Sequence, residues 1–132
     1  MSRSLFAVAM LACAGAPIVR AQDVLAVAPA HYKLLTENEH VRVVQNTLRP
    51  GEKDTMHTHP SGWYYVTQGG SMKVVWADGR TELWTPKTGE AAWNKAEGPH
   101  TSQNVGAEPM SYILVEVKSA AVGQASRSAP RR

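Results

Sequence analysis

Three histidines in this sequence are spaced so that they could bind one metal ion. His57 and His59 are two positions apart, and His100 lies 41 positions after His59. Side chains alternate between the two faces of a β-strand, so residues i and i+2 share a face and their imidazoles can converge. Three neutral imidazoles suit zinc, iron, copper or nickel and leave coordination positions for water or substrate. The spacing therefore predicts an open metal site with these three histidines as ligands.

Short β-prone segments surround the histidines and would have to position them. The segments are rich in β-branched and aromatic residues, and Gly, Pro or Asp-Gly turn signals separate them. They lie at residues 40–48, 55–59, 63–67, 71–77, 80–85, 91–93, 101–105 and 110–117. Many short strands without helical periodicity predict an all-β sandwich or small barrel, whose interior can hold a ligand pocket.

The histidine pair lies in a segment that resembles the first motif of the cupin family. That motif reads Gly, five residues, His-x-His, three or four residues, Glu, six residues and Gly. This sequence has Gly51, His57, His59 and Gly70 at those spacings. Trp63 stands where the family has its glutamate, so the carboxylate ligand of that motif is missing.

The third histidine lies in a segment that resembles the second cupin motif. That motif reads Gly, five residues, Pro-x-Gly, two residues, His, three residues and Asn. Gly89, His100 and Asn104 match it, whereas Lys95 and Glu97 replace the usual proline and glycine. The two motifs together span somewhat under half of the chain.

The resemblance implies an all-β, small cupin-type β-barrel (a jelly roll) over residues 22–118. It implies that His57, His59 and His100 hold a divalent transition metal without a carboxylate ligand. The pattern is similar to three-histidine cupins such as cysteine dioxygenase and some diketone- and ring-cleaving dioxygenases, which use iron. Iron is therefore the first expectation, with zinc, manganese, nickel or copper as alternatives. Because small single-domain cupins commonly pair, the resemblance also implies a homodimer.

Two functions are compatible with this resemblance, because the cupin fold hosts many chemistries. The first is a metal-dependent oxidoreductase, dioxygenase-like, that acts on a small organic molecule. The alternative is a non-catalytic periplasmic module that binds a small ligand or a metal. Turnover of a small substrate would separate the two.

Strand parity predicts which aromatic side chains line the pocket. If the histidine pair points inward and the alternation continues, Trp63 and Tyr65 point inward as well. Trp63 would then be a pocket wall on which a planar substrate stacks, or simply core filling. A bulge at Gly62 would reverse the alternation and turn Tyr64 inward, where its hydroxyl could act as an oxygen ligand or proton donor.

Two amide side chains complete the expected pocket. Gln45 lies on the strand before the first motif and is a candidate hydrogen-bond donor to substrate. Asn104 shares parity with His100, and it either contacts the pocket or holds a loop.

The two ends of the chain differ in composition from the segment between them. Residues 1–21 have an early arginine, a short apolar run and a small residue before Gln22, as in a secretory signal peptide. This predicts an exported protein, periplasmic or secreted, that lacks the only cysteine, Cys13. A buried N-terminal helix or a lipid-attachment site at Cys13 are the alternatives. Residues 119–132 are small, polar and basic and predict a disordered tail.

The charge of the central segment argues against two classes of partner. From Gln22 to Val117 there are 8 basic and 11 acidic residues, a net charge of −3. No basic patch interleaved with aromatic residues is present, so nucleic-acid binding is not expected. No segment is long and apolar enough to predict a membrane span. We expect a small-molecule ligand or substrate instead.

Overall fold

The computed structural model describes residues 22–118, and the predictions for residues 1–21 and 119–132 lie outside this range. A four-residue helix, α1 (Val24–Val27), precedes the strands, and Asp23 caps it by accepting a hydrogen bond from the Leu25 N–H at 2.9 Å. The strands are β1 (Tyr32–Glu37), β2 (Val41–Leu48), β3 (His57–His59), β4 (Gly62–Gln68), β5 (Met72–Trp76), β6 (Thr81–Trp84), β7 (Ala91–Asn94), β8 (Glu97–Asn104) and β9 (Met110–Val117).

The strands form two antiparallel sheets. The first has five strands in the order β1-β2-β9-β4-β7, and the second has four in the order β3-β8-β5-β6. Within residues 22–118 the sheets do not close into one continuous barrel. The prediction of an all-β jelly roll is therefore confirmed, as two sheets with a shared interior.

Alternation of side chains along β2 and β9 builds the apolar interior. Val44 and Leu48 on β2 are buried, as are Met110 and Leu114 on β9. They pack in one cluster with Val66 of β4, Met72 of β5 and other buried residues. Burial of such side chains stabilises the fold by about 1.5–3 kcal/mol each, so this cluster fixes the position of one sheet relative to the other.

The hairpin predicted at Asp78-Gly79 is present between β5 and β6. Gly79 adopts a φ of +88°, a conformation that residues with a side chain rarely adopt. Asp78 Oδ1 accepts a hydrogen bond from the Arg80 N–H at 3.0 Å and closes the turn.

Strand β1 was not among the predicted strands, and it forms the edge of the five-stranded sheet beside β2. No helix in residues 22–118 is long and apolar enough to cross a membrane.

Candidate metal centre

The structure brings the three predicted histidine ligands together inside the protein. His57 and His59 lie on β3, and His100 lies on the neighbouring strand β8, opposite His57. All three side chains are buried. One nitrogen from each ring lies within 4.8 Å of the corresponding nitrogens of the other two. Two short strands of one sheet therefore deliver three imidazoles to one point.

The Nδ1 atom of each histidine faces a hydrogen-bond acceptor. His57 Nδ1 lies 2.6 Å from the Thr55 carbonyl oxygen, and His100 Nδ1 lies 2.9 Å from the Gly98 carbonyl oxygen. His59 Nδ1 lies 2.9 Å from the Glu116 carboxylate. Because these partners accept, each Nδ1 carries the proton and donates it. The Nε2 atom of each ring is then left with the lone pair that binds a metal.

The separation of two of these Nε2 atoms matches a shared cation. His57 Nε2 and His59 Nε2 are 3.0 Å apart, and both carry lone pairs. Two lone pairs facing each other at this distance repel unless a cation or a proton lies between them. Two nitrogen donors at right angles around one metal ion are about 3.0 Å apart when each bond is about 2.1 Å. The donor set therefore fits a transition-metal ion.

The surroundings of His57 and His100 keep these two rings neutral, as metal binding requires. Burial, together with the neighbouring His59, lowers the pKa of His57 to about 3. Burial also lowers the pKa of His100. Protons therefore compete weakly for these two nitrogens at neutral pH.

A chain of charged groups that runs from the surface to a buried carboxylate holds His59 in place. Glu116 is buried and receives hydrogen bonds from both His59 and Arg42, the latter from Nε at 2.7 Å. Arg42 also pairs with Asp23 in front of α1. Because Glu116 lies on β9 and His59 on β3, this chain joins the two sheets through His59. A carboxylate behind a ligating histidine fixes the ring and raises its basicity.

A second buried carboxylate lies behind His57. Asp54 Oδ1 is 3.8 Å from His57 Nδ1 and accepts a hydrogen bond from the Ser102 N–H at 2.6 Å. Burial raises the pKa of Asp54 to about 6. This carboxylate therefore ties the loop before β3 to β8, the strand that carries His100.

Two buried tyrosines also lie at the cluster. The Tyr32 hydroxyl is 3.2 Å from His57 Nε2 and 3.4 Å from His59 Nε2. It is 3.1 Å from the Tyr112 hydroxyl. Burial raises the pKa of both tyrosines.

A cavity of about 280 Å³ lies beside the histidines, and residues of both sheets line it. His59 and His100 are part of its wall, so the metal position is accessible from it. Most of the remaining wall is aromatic or acidic. These residues include Tyr64, Trp76, Trp84, Trp93, Tyr112, Glu82 and Glu97.

The predicted pocket residues Trp63 and Tyr65 lie elsewhere, and that prediction is wrong. Their side chains are 52% and 49% exposed, and neither lines the cavity. Parity failed because His59 and Trp63 belong to different sheets: β3 is in the four-stranded sheet and β4 in the five-stranded sheet. The chain crosses between them at Pro60-Ser61, so alternation does not carry over. Tyr64 faces the cavity instead.

Gln45 and Asn104 also lie outside the cavity wall, contrary to prediction. Gln45 alternates with the buried residues of β2 and donates to Ser111 Oγ at 3.3 Å. Asn104 is buried, and its Nδ2 donates to the carbonyls of Leu48 and Glu108 at 2.8 and 2.9 Å. It therefore holds a loop, the structural alternative considered for it.

Sequence reasoning missed the carboxylates and the tyrosines around the histidines. Glu116 had a usable signal, since it shares parity with Tyr112 and Leu114 in an otherwise apolar strand. Asp54 and Tyr32 had none, because only the fold places them beside the histidines.

Comparison with solved structures identifies the fold. A cupin domain from Bordetella pertussis Tohama I superposes with a TM-score of 0.61 and 17% identity, over 67% of this chain and 92% of that one. A protein with a double-stranded β-helix domain from Klebsiella pneumoniae gives a TM-score of 0.53 and 25% identity, over 69% and 77%. The polyketide cyclase RemF from Streptomyces resistomycificus gives 0.51 and 22%, over 86% and 80%.

The sequence itself matches no family model and no curated protein. Tertiary structure is thus the basis of the assignment. The chain has the double-stranded β-helix fold that these structures share, and its cluster of His57, His59 and His100 could hold a metal ion.

Proposed function

We propose that this protein is a metal-dependent oxidoreductase, dioxygenase-like, that acts on a small planar organic molecule. The observation that carries the proposal is the convergence of three buried imidazoles, with one nitrogen of each within 4.8 Å of the others, at the edge of an aromatic cavity. A bound transition-metal ion would supply Lewis acidity there and, if it is iron, electron transfer for oxygen chemistry. Iron is the first candidate, and the donor set also suits zinc, manganese, nickel or copper.

The residues of the cavity wall favour a neutral, planar ligand. Trp76 and Trp84 offer flat apolar surfaces, and the Trp76 indole N–H has no partner among the described residues. Such a donor suits a carbonyl or hydroxyl oxygen of the ligand. The wall contains Glu82 and Glu97 and, among the described residues, no lysine or arginine. A ligand carboxylate would therefore find no lysine or arginine partner in the wall, and only the metal ion could bind it there.

Groups that can move a proton lie beside the metal position. Glu97 Oε2 is 3.7 Å from His100 Nε2, and Glu97 also lines the cavity. It is partly exposed, so it can exchange protons with solvent. Glu97 is therefore the candidate acid or base of the site. Tyr112 also lies in the wall.

The experiment is metal analysis followed by oxygen-uptake assays. We expect near-stoichiometric transition metal in the purified protein, and metal loss in His57→Ala but not in the exposed control His40→Ala. After loading with ferrous iron, we expect oxygen uptake with some member of a panel of phenols, diketones and thiols. If the protein binds no metal after reconstitution, the proposal is wrong.

The alternative is a non-catalytic binding module in the same cavity. Its aromatic platform would be Trp76 and Trp84, since Trp63 lies outside. Quenching of tryptophan fluorescence by panel compounds, without oxygen uptake by the iron-loaded protein, would favour this alternative.

We also propose that the protein forms a homodimer and is exported. Trp63 and Tyr65 support the dimer, because they expose large aromatic surface on the outer face of one sheet. Light scattering that shows only monomer at high concentration would contradict it. Export is tested by sequencing the N-terminus of the mature protein, which we expect to begin at Gln22.

A further inference from the structure

The position of Tyr32 relative to the histidines suggests more than a structural role. Its hydroxyl oxygen is 3.2 Å from His57 Nε2 and 3.4 Å from His59 Nε2, and the two nitrogens are 3.0 Å apart. With bonds of about 2.1 Å, donors around one ion are about 3.0 Å apart at right angles and about 3.4 Å apart at tetrahedral angles. All three separations fall within this interval. The oxygen therefore lies where a neighbouring metal ligand would lie.

The fold fixes this hydroxyl in place. Tyr32 is buried at the start of β1, and its N–H donates to the Ala28 carbonyl at 3.1 Å. Its ring meets the His57 ring edge-on, with centroids 5.3 Å apart and planes at 65°. The hydroxyl, rather than the ring face, is thus presented to the Nε2 atoms.

Hydrogen bonding alone leaves this cluster incompletely satisfied. The Tyr32 hydroxyl has one proton, whereas His57 Nε2 and His59 Nε2 each offer a lone pair. One proton cannot satisfy both nitrogens, but a cation bound by all three atoms can. Tyr112, at 3.1 Å, can donate its own proton to the Tyr32 oxygen and support it in that role.

Neighbouring residues make the same region polar. Tyr32 pairs with Asn46 on β2, and Asn46 pairs with Tyr112 on β9, so the three form one row across the sheet. All three are buried, and among the described residues the Asn46 side-chain amide has no hydrogen-bond partner. A buried polar row in an apolar interior costs stability unless its groups are satisfied. Its position beside the histidines is consistent with a charged group there.

We propose that the Tyr32 hydroxyl oxygen is a fourth metal ligand, beside His57, His59 and His100. This inference rests on the proposed metal centre and adds an oxygen donor to it. The chain would thereby supply from β1 the oxygen ligand that is missing at Trp63. An oxygen donor favours harder ions than nitrogen donors alone do, and it would favour ferric iron in particular.

The experiment compares Tyr32→Phe with Tyr65→Phe, each loaded with ferric iron. Tyr65 is an exposed tyrosine outside the cavity wall, so it is the matched control. A phenolate ligand to ferric iron gives a charge-transfer band in the visible region. We expect this band in the wild-type protein and in Tyr65→Phe, and its loss in Tyr32→Phe. We also expect Tyr32→Phe to lose metal to a competing chelator at least about tenfold more readily than Tyr65→Phe does.

Zinc loading provides a second measurement for the same ligand. We expect a near-ultraviolet difference band of ionised tyrosine when zinc binds the wild type, and no such band in Tyr32→Phe. Circular dichroism would verify that both phenylalanine variants fold. Metal bound by the wild type with neither band, and with equal affinity in Tyr32→Phe, would overturn this inference and leave the metal centre standing. Wild-type protein that binds neither metal would overturn both.

Discussion

At the scale of single residues, the partner of each histidine's Nδ1 atom decides what its Nε2 atom can do. Two of the three partners are backbone carbonyls, at Thr55 and Gly98, which a side-chain substitution cannot remove. The third is the buried carboxylate of Glu116, which also neutralises Arg42. Glu116 is therefore the point at which the metal site can be weakened without touching a ligand.

We predict that Glu116→Gln lowers metal affinity by about 10- to 100-fold. The neutral amide is a weaker acceptor for His59 Nδ1, and its loss of charge leaves Arg42 with Asp23 as its remaining acidic partner. Competition with a chelator measures the affinity. The matched control is Glu37→Gln, which removes a surface carboxylate paired with Lys118 and should leave affinity unchanged. Equal affinities in the two variants would contradict this role for Glu116.

At the scale of elements, the metal centre depends on how closely β4 approaches β9. Gly62, the first residue of β4, lies opposite Glu116 in the sheet. A Cβ atom added to Gly62 would lie 2.0 Å from the Val115 carbonyl oxygen, a contact that the backbone would have to relieve by moving. A residue with a side chain at position 62 would thus push on the strand segment that carries Glu116.

We predict that Gly62→Ala destabilises the fold by about 1–3 kcal/mol, the usual cost of overpacking. Gly98→Ala is the control, since a Cβ there meets no atom within 4 Å and the φ of Gly98 is not positive. Urea unfolding of both variants measures the difference. Similar free energies of unfolding for the two variants would contradict this prediction, because they would mean that β9 can move to accommodate the added Cβ at little cost.

At the scale of the whole molecule, His57 and His100 couple the stability of the fold to pH. The pKa of His57 is about 3 in the folded protein against an ordinary value of 6.5, so the unfolded chain takes up protons first as the pH falls. His100 shifts in the same direction. The stability that these groups contribute is complete above about pH 6.5 and is lost towards pH 3. Asp54 opposes this, because its raised pKa adds stability as the pH falls from about 6 to about 3.8.

We therefore predict that the metal-free protein loses stability between about pH 6.5 and pH 4. Thermal unfolding of chelator-treated protein across this range measures the effect. His57→Gln should show a shallower loss, because one of the groups responsible is gone. His40→Gln, at an exposed histidine, should behave as the wild type does. A wild-type melting temperature that rises as the pH falls would mean that Asp54, and not the histidines, dominates.

The sequence by itself predicted the three clustered histidines and the type of fold. An i, i+2 pair on a strand shares a face because of local backbone geometry, and Asp78-Gly79 forms its turn for equally local reasons. Such features need no knowledge of distant residues. The motif spacing added His100, and the structure places it beside His57.

Only the tertiary structure decided what surrounds those ligands. Trp63 lies outside the pocket because the chain changes sheets at Pro60-Ser61. Side-chain alternation holds only within one continuous strand. Tyr32 and Glu116 lie beside the histidines because β1 and β9 pack against β3. These contacts join residues that are 25 to 57 positions apart in the sequence. Contacts at such separations follow from sheet order and packing, which strand periodicity does not encode.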